Sequence, residues 1–358
     1  MPRIDPDRLR NFITDIYLAM DVPANMAAHL ADTLVAADLW GHSSHGVMRT
    51  FWYGARIESG ATRLDTTPRI ISDTGPLLAL DGSDGIGQQV AQKAVDLAME
   101  RARQYGIAAI SIRNSGHFGT AMYFTRQLAV QNMIGFLATN ASPAIPPAGG
   151  REKLIGNNPQ SWAAPTGLAV PYLLDFAHSA VARGKIYLAR EQGEALPVGW
   201  ALDSTGRPTT DPSAAIAGTL LPMAGHKGAG LSAMMDVLSG LLSGGEFGER
   251  VAGPYIADRR SGAGHFLIAI DIASLRPLDG FLADMQAMIA SWKASAPQDG
   301  IAEILYPGEP EHQHETASRS TGIALPAKIL DDLLTGAASL GLDVSARNLE
   351  FQVQPQTI

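Results

Sequence analysis

Apolar residues recur at three- and four-residue spacing over residues 6–20 and again over 23–40, and this spacing predicts two helices, with Pro23 suited to the first turn of the second. The chain thus opens as a helical hairpin. From about residue 68 the pattern changes: short apolar runs alternate with Gly, Pro and Asp through PRIISDTGPLLALDGSDGIGQ, which reads as strands and turns. Ile86 to Arg103 is amphipathic, Gly106 stops it, and IAAISIR follows as a strand. A helix at about 119–131, the strand GFLATN, and the strand VPYLLDFA come next, the last running into SAVARGKIYLARE. Lys227 opens a helix at 229–242, FLIAID gives another strand, and helices near 280–294 and 326–341 close the pattern. Helices alternating with buried strands predict an α/β layered core.

The 358 residues, 46% hydrophobic and 17% charged, are long enough for a large core and disfavour extended disorder. A net charge of −8 with no basic stripe argues against nucleic acid as a partner. Zero cysteines exclude disulfides, thiolate metal ligands and a cysteine nucleophile, and suit a reducing cytoplasm. MPRIDPDRLRNF has no apolar core followed by a cleavage site, and GLSAMMDVLSGLLSGG carries Asp236 and is short for a bilayer. A cytoplasmic protein without a membrane partner is expected.

Four stretches carry candidate chemistry. In GHSSHGVMRT, His45 beside Ser44 has the ordinary titration range of an acid–base group, and Arg49 offers a fork for a substrate carboxylate, about one turn away if the segment is helical. Taken alone, such residues in a connector more often serve as capping or solvated groups. A metal alternative takes His42 and His45 with His312 and His314 of HQHE, a polar stretch that reads as exposed. RNSGHFGTAMYF puts His117 after a strand end, where ligands gather in layered α/β proteins. The loop ATNASPAIPPAGGREKLIGNNP must hold a specific shape, and Asn140 and Asn158 within it are candidates to hydrogen-bond a nicotinamide carboxamide, a ribose or a carboxylate. Finally, Lys227, Gly228 and Gly230 enter a helix where free amides and a cation favour a pyrophosphate, while Asp175 at a strand end and Ser179, as the cap of the next helix, are placed for ribose hydroxyls. No G-x-G-x-x-G follows any predicted strand, so a dinucleotide would need a non-Rossmann architecture.

In this order, SHGVMR, SGHFGTAMYF, GGREKLIGNNP, LDFAHSAVARGKI and GHKGAGLSAMMDVLSGLLSGGEFG resemble the type-2 malate/L-lactate dehydrogenase family, over about residues 5–345. That family also holds ureidoglycolate, sulfolactate and diketogulonate oxidoreductases and cyclic-imine carboxylate reductases. The resemblance implies an L-sulfolactate dehydrogenase-like, non-Rossmann α/β fold with a mixed sheet flanked by helices. It implies that residues 1–70 join 278–358 in a helical substrate and dimerisation domain, with 71–277 as the NAD(P)-binding domain. It further implies NAD or NADP as cofactor and a homodimer. His45 falls on the family's proton donor and acceptor, Arg49 on its carboxylate holder, and His117 beside substrate and nicotinamide. Cofactor contacts fall on Asp175, Phe176, Ala177, His178 and Ser179, on His226 and Lys227, and on Gly308, Glu309 and Pro310. Two positions depart from many relatives: Gly116 replaces Asn, and His178 replaces Thr near the cofactor's ribose or phosphate, where it would alter either the choice between NADH and NADPH or how tightly either binds.

The expected reaction is reversible hydride transfer to C2 of a small 2-oxo acid, without a metal. Its rivals are reduction of a cyclic imine carboxylate by the same machinery, a histidine-ligated metal protein, and a nucleotide-binding protein without turnover.

Overall fold

A computed structural model describes residues 1–344 and 349–350; residues 345–348 and 351–358, the end of the expected 278–358 unit, lie outside the described residues. Helices α1 (Pro6–Ala19) and α2 (Ala24–Leu39) form the opening hairpin, and α3 (Thr50–Glu58) follows two short 3₁₀ turns. Asp5 caps α1 by accepting from the Asp7 and Arg8 amides. Pro23 stands just before α2 rather than inside its first turn, with φ −53° and ψ 140°.

Seven strands build the main sheet: β1 (Arg69–Asp73), β2 (Leu77–Asp81), β3 (Ile107–Ser115), β4 (Met133–Thr139), β5 (Gln160–Ala164), β6 (Tyr172–Phe176) and β7 (Ala263–Asp271). Their spatial order is β1-β2-β3-β7-β4-β5-β6. Only β2 and β3 run parallel, with Leu78 opposite Ile110; the other pairs are antiparallel, so the sheet is mixed. Helix α4 (Gly87–Tyr105) supplies the crossover between β2 and β3, and α5 (Met122–Val130) connects β3 to β4.

Alternation along β3 turns Ala108, Ile110 and Ile112 to one face, where they meet Val90, Ala94, Val95 and Ala98 of α4 and Leu128 of α5. On the other face Phe136, Ala138, Phe266 and Ile268 pack against Met235 of α8 (His226–Asp236) and Leu238 beyond it. Along the chain from β6 to α8 come α6 (Arg183–Gln192), α7 (Pro212–Ala217) and a small three-stranded sheet that periodicity did not reveal, because its strands are only two residues long.

Helices α9 (Leu278–Lys293), α10 (Glu309–Thr321) and α11 (Ala327–Ser339) end the chain's regular structure among the described residues. Leu333, Ala337 and Leu349 join Phe12, Ile16, Tyr17 and Leu34 in one apolar cluster, and Arg3–Ile4 pairs with Ile323–Ala324, so the opening and closing helices share a core. HQHE lies within α10, a helix with too few apolar residues to announce itself, and His312, Gln313 and His314 are exposed as expected. Two sequence expectations change. The helix expected at 229–242 starts at His226 and passes at Val237 into a π-helical turn through Leu241. Ser179 caps no helix: α6 starts four residues later after Ala182, and the Ser179 hydroxyl donates to the Val181 carbonyl instead.

Candidate active site

The GHSSHGVMRT segment is not one helix. Ser43–His45 and Val47–Arg49 are separate 3₁₀ turns, broken by an extended Gly46. Only glycine fits there, because a Cβ would stand 2.0 Å from Asp38 Oδ1. Asp38, on the last turn of α2 and 5% exposed, accepts the Val47 amide at 2.8 Å. Burial pushes its carboxyl up to about 7, against the pull of that amide. A buried acid therefore pins the turn from beneath. Above it, the Ser44 hydroxyl lies 2.9 Å from His45 Nδ1, and Arg49 Nε donates to the Ser44 carbonyl at 2.6 Å. The Arg49 guanidinium rests over the Trp52 ring at 5.1 Å, and its Nη1 is buried with no hydrogen-bond partner.

His117 arrives from the end of β3, and its ring stacks on that of His45 with centroids 5.5 Å apart. Its Nδ1 faces the Tyr53 hydroxyl at 2.7 Å and the Gly119 amide at 3.1 Å. Gly119 has φ +89°, a conformation that leaves its amide free to turn back on the ring. Burial, Arg49 and His42 together lower His45 to about 3, and burial followed by the Arg49 charge holds His117 well below the usual histidine range. Both rings are neutral in the free protein. Behind them His265, fully buried on β7, hydrogen-bonds Thr139 Oγ1 at 2.8 Å and Ser115 Oγ at 2.7 Å and meets Phe118 edge-on.

The same loop carries Thr120 to Asp175 at the end of β6. Thr120 donates to Asp175 at 2.8 Å and accepts from His42 Nδ1 at 3.1 Å, while the Met122 amide at the start of α5 donates to Asp175 at 2.6 Å. Burial raises the Asp175 carboxyl, with the His42 charge and these bonds opposing. His42 Nε2 in turn lies 3.6 Å from Glu311. The turn before α10 docks on β6: Leu173 N donates to the Pro307 carbonyl, and Gly308 at φ +104° has no room for a Cβ against the Pro171 carbonyl. Glu309 pairs with Lys293 at 2.7 Å and accepts the Tyr306 amide, and Pro310 occupies the first turn of α10.

Beyond Asp175, the half-buried Phe176 and Ala177 lead to His178 and Ser179, which run beside residues 221–223: Met223 N donates to the His178 carbonyl and Ala180 N to that of Leu221. This pairing delivers Gly225, at φ +62°, and the exposed His226 and Lys227 at the start of α8. Gly228 has no space for a Cβ, which would lie 2.1 Å from the Met223 carbonyl. An exposed ammonium and first-turn amides without a side-chain cap suit a dinucleotide phosphate.

Three sequence expectations do not fit this geometry. Asn140 is 3% exposed and its amide is consumed internally, donating to Asp236 and the Glu246 carbonyl and accepting the Gly264 amide. Asn158, fully buried, accepts the Ala141 amide and donates to the Ser232 carbonyl. Neither side chain is offered to a ligand; both brace the Pro- and Gly-rich loop. His178 is likewise fully buried, its Nε2 2.9 Å from Gln160 Nε2 and its Nδ1 3.3 Å from the Asn157 carbonyl, so its ring does not reach out to choose between ribose and phosphate. The metal alternative also loses its ligands: His42 and His45 have the partners given above, His314 Nδ1 donates to the Leu39 carbonyl, and no group of three metal-ligating side chains forms among the described residues.

Sequence reasoning missed Asp38, Tyr53 and His265. Tyr53 sits one helical turn past Arg49, a spacing that puts both on one face of α3's start. His265 lies within an apolar strand and gives no such signal.

The model of the malate/L-lactate dehydrogenase family matches residues 4–334. The chain is 38% identical over 348 residues to malate dehydrogenase from Pyrococcus abyssi, covering 95% of each sequence. Its fold is similar to that of sulfolactate dehydrogenase from Methanocaldococcus jannaschii, with TM-score 0.91, 33% identity and coverage of 96% of this chain and 98% of the other. It is also similar to delta1-piperideine-2-carboxylate reductase from Pseudomonas syringae, with TM-score 0.83, 26% identity and coverage of 94% and 100%.

Proposed function

The chain belongs to the malate/L-lactate dehydrogenase family, a family of oxidoreductases, and from that premise we propose that it interconverts a small 2-hydroxy acid and its 2-oxo acid with NAD or NADP. The observation that carries the reading is the Arg49 guanidinium, half-buried beside two neutral imidazoles with Nη1 unpartnered. A buried donor without an acceptor is costly, and a carboxylate is the acceptor that matches its fork.

Arg49 holds the substrate carboxylate and thereby directs C2 toward His45. His45, neutral and steadied through Nδ1 by Ser44, takes the hydroxyl proton on oxidation and returns it on reduction. His117 faces the same oxygen. A carboxylate on Arg49 offsets one of the charges that lower His45, so substrate binding itself raises the ring's proton affinity. A bound nicotinamide supplies or accepts the hydride. The Lys227 ammonium, the amides of His226 and Lys227, Asp175 and the Gly308–Pro310 turn would hold it.

The low proton affinity of His45 also favours a second reading, reduction of a cyclic imine carboxylate, since an iminium brings its own proton and needs little acid. Assays with 2-oxo acids and piperideine or pyrroline 2-carboxylates, each with NADH and NADPH, separate the two. Turnover confined to the imines would displace the 2-oxo acid reading. The assembly we propose is a homodimer. Leu231, Met234, Leu241 and Leu242 are exposed on α8 and the turn after it, an apolar surface suited to a second subunit, and light scattering reads the mass directly.

A further inference from the structure

Tyr53 has no part in the reaction as stated above, yet it is 7% exposed and its hydroxyl lies 2.7 Å from His117 Nδ1. The same nitrogen receives the Gly119 amide at 3.1 Å. A backbone N–H can only donate, so His117 Nδ1 must accept, and its lone pair cannot also carry a proton. Given that, the Tyr53 hydroxyl is the donor in the second bond. The ring's one remaining proton then lies on Nε2, which has no hydrogen-bond partner among the described residues. We infer that Tyr53 is a positioning residue which, with the Gly119 amide, locks His117 in its neutral tautomer with the proton on Nε2, making it a fixed hydrogen-bond donor to the reacting oxygen.

An imidazolium at 117 would place an N–H against the Gly119 amide, which can only donate, and a charge against the stacked ring of His45 and the Arg49 guanidinium. Burial also raises the Tyr53 hydroxyl to about 12, so it stays protonated and able to donate at neutral pH. The two histidines therefore divide the work: one moves a proton, while the other polarises the carbonyl without ever exchanging its own. The role for the Nε2 proton rests on the oxidoreductase reading above; the tautomer itself does not.

Nitrogen-15 NMR of histidine-labelled protein, with the His117 signals assigned by their loss in His117→Gln, tests the tautomer without any substrate. The expected result is a protonated Nε2 and an unprotonated, hydrogen-bonded Nδ1 that do not titrate across roughly pH 6–8. A proton on Nδ1, or titration in that range, overturns the inference whether or not the enzyme reading stands. Tyr53→Phe, which removes one oxygen, should shift the Nδ1 resonance and lower kcat roughly tenfold with KM nearly unchanged. Unchanged kcat and Nδ1 resonance in a folded Tyr53→Phe protein would also remove Tyr53 from this role.

Discussion

His45 and His117 lie ring against ring, with planes 20° from parallel, although 72 positions separate them in the chain. One comes from a turn pinned beneath by Asp38, the other from the end of β3. Protonating either ring penalises protonation of the other, and Arg49 penalises both.

The first prediction is a pH asymmetry between the two directions. With His45 lowered to about 3, its neutral form is the whole population of free enzyme near neutrality, so the base for oxidation is always present. For this ring, the kcat/KM for oxidising a hydroxy acid should be flat from about pH 5 upward, whereas the kcat/KM for reducing the oxo acid should fall nearly tenfold per pH unit. A reduction profile that is flat up to pH 7 and breaks only there would contradict it.

His45→Ala should lower turnover by about 10²–10⁴-fold while leaving cofactor affinity nearly intact. Steady-state rates with titration of the cofactor separate these effects. Undiminished turnover would remove His45 from proton transfer.

Asp38 links stability to pH. Its folded value of about 7 lies above the ordinary carboxylate value near 3.8, so the native state retains a proton that the unfolded chain has lost. The stability contributed by this group is therefore greatest at low pH and declines as pH rises from about 4 to 7. Asp38→Asn keeps an acceptor for the Val47 amide without the charge. Its stability relative to the wild type should grow with pH, by about 1–3 kcal/mol between pH 5 and 8, in urea unfolding. Asp38→Ala lacks the acceptor and should lose both stability and kcat. An Asn variant with a pH-independent stability difference would argue against a buried, titrating carboxyl.

Asn140 braces a loop, so Asn140→Ala should destabilise the fold by about 2–3 kcal/mol through the groups left unpaired at Asp236, Glu246 and Gly264. Cofactor affinity of the folded variant should be nearly that of the wild type. A selective loss of cofactor binding with stability intact would restore Asn140 to the ligand.

Much of the layered core was legible because α4 and β3 carry clear periods of 3.6 and 2 residues. The fold family was legible because glycines and histidines stand at fixed places in five ordered motifs. Helix α10 was not, since its polar residues serve side-chain partners such as Trp40, which donates to Glu315, rather than an apolar stripe. Nor did the sequence separate ligand-facing from inward-facing polar groups: Asn140, Asn158 and His178 lie in motifs shared with functional residues, yet their hydrogen bonds turn inward. Spacing identifies a motif, but burial and partner geometry decide which of its side chains remain free. Arg49 illustrates the opposite outcome, because its neighbours leave Nη1 without an acceptor.

Comparing an oxo acid with the matching oxo amide, in the wild type and in Arg49→Ala, tests that assignment most directly. The wild type should favour the acid by about 10²-fold or more in kcat/KM, and Arg49→Ala should abolish most of that preference by losing the acid while barely changing the amide. If the variant still prefers the acid as strongly as the wild type does, the carboxylate is held elsewhere and the proposed arrangement of substrate against His45 is wrong.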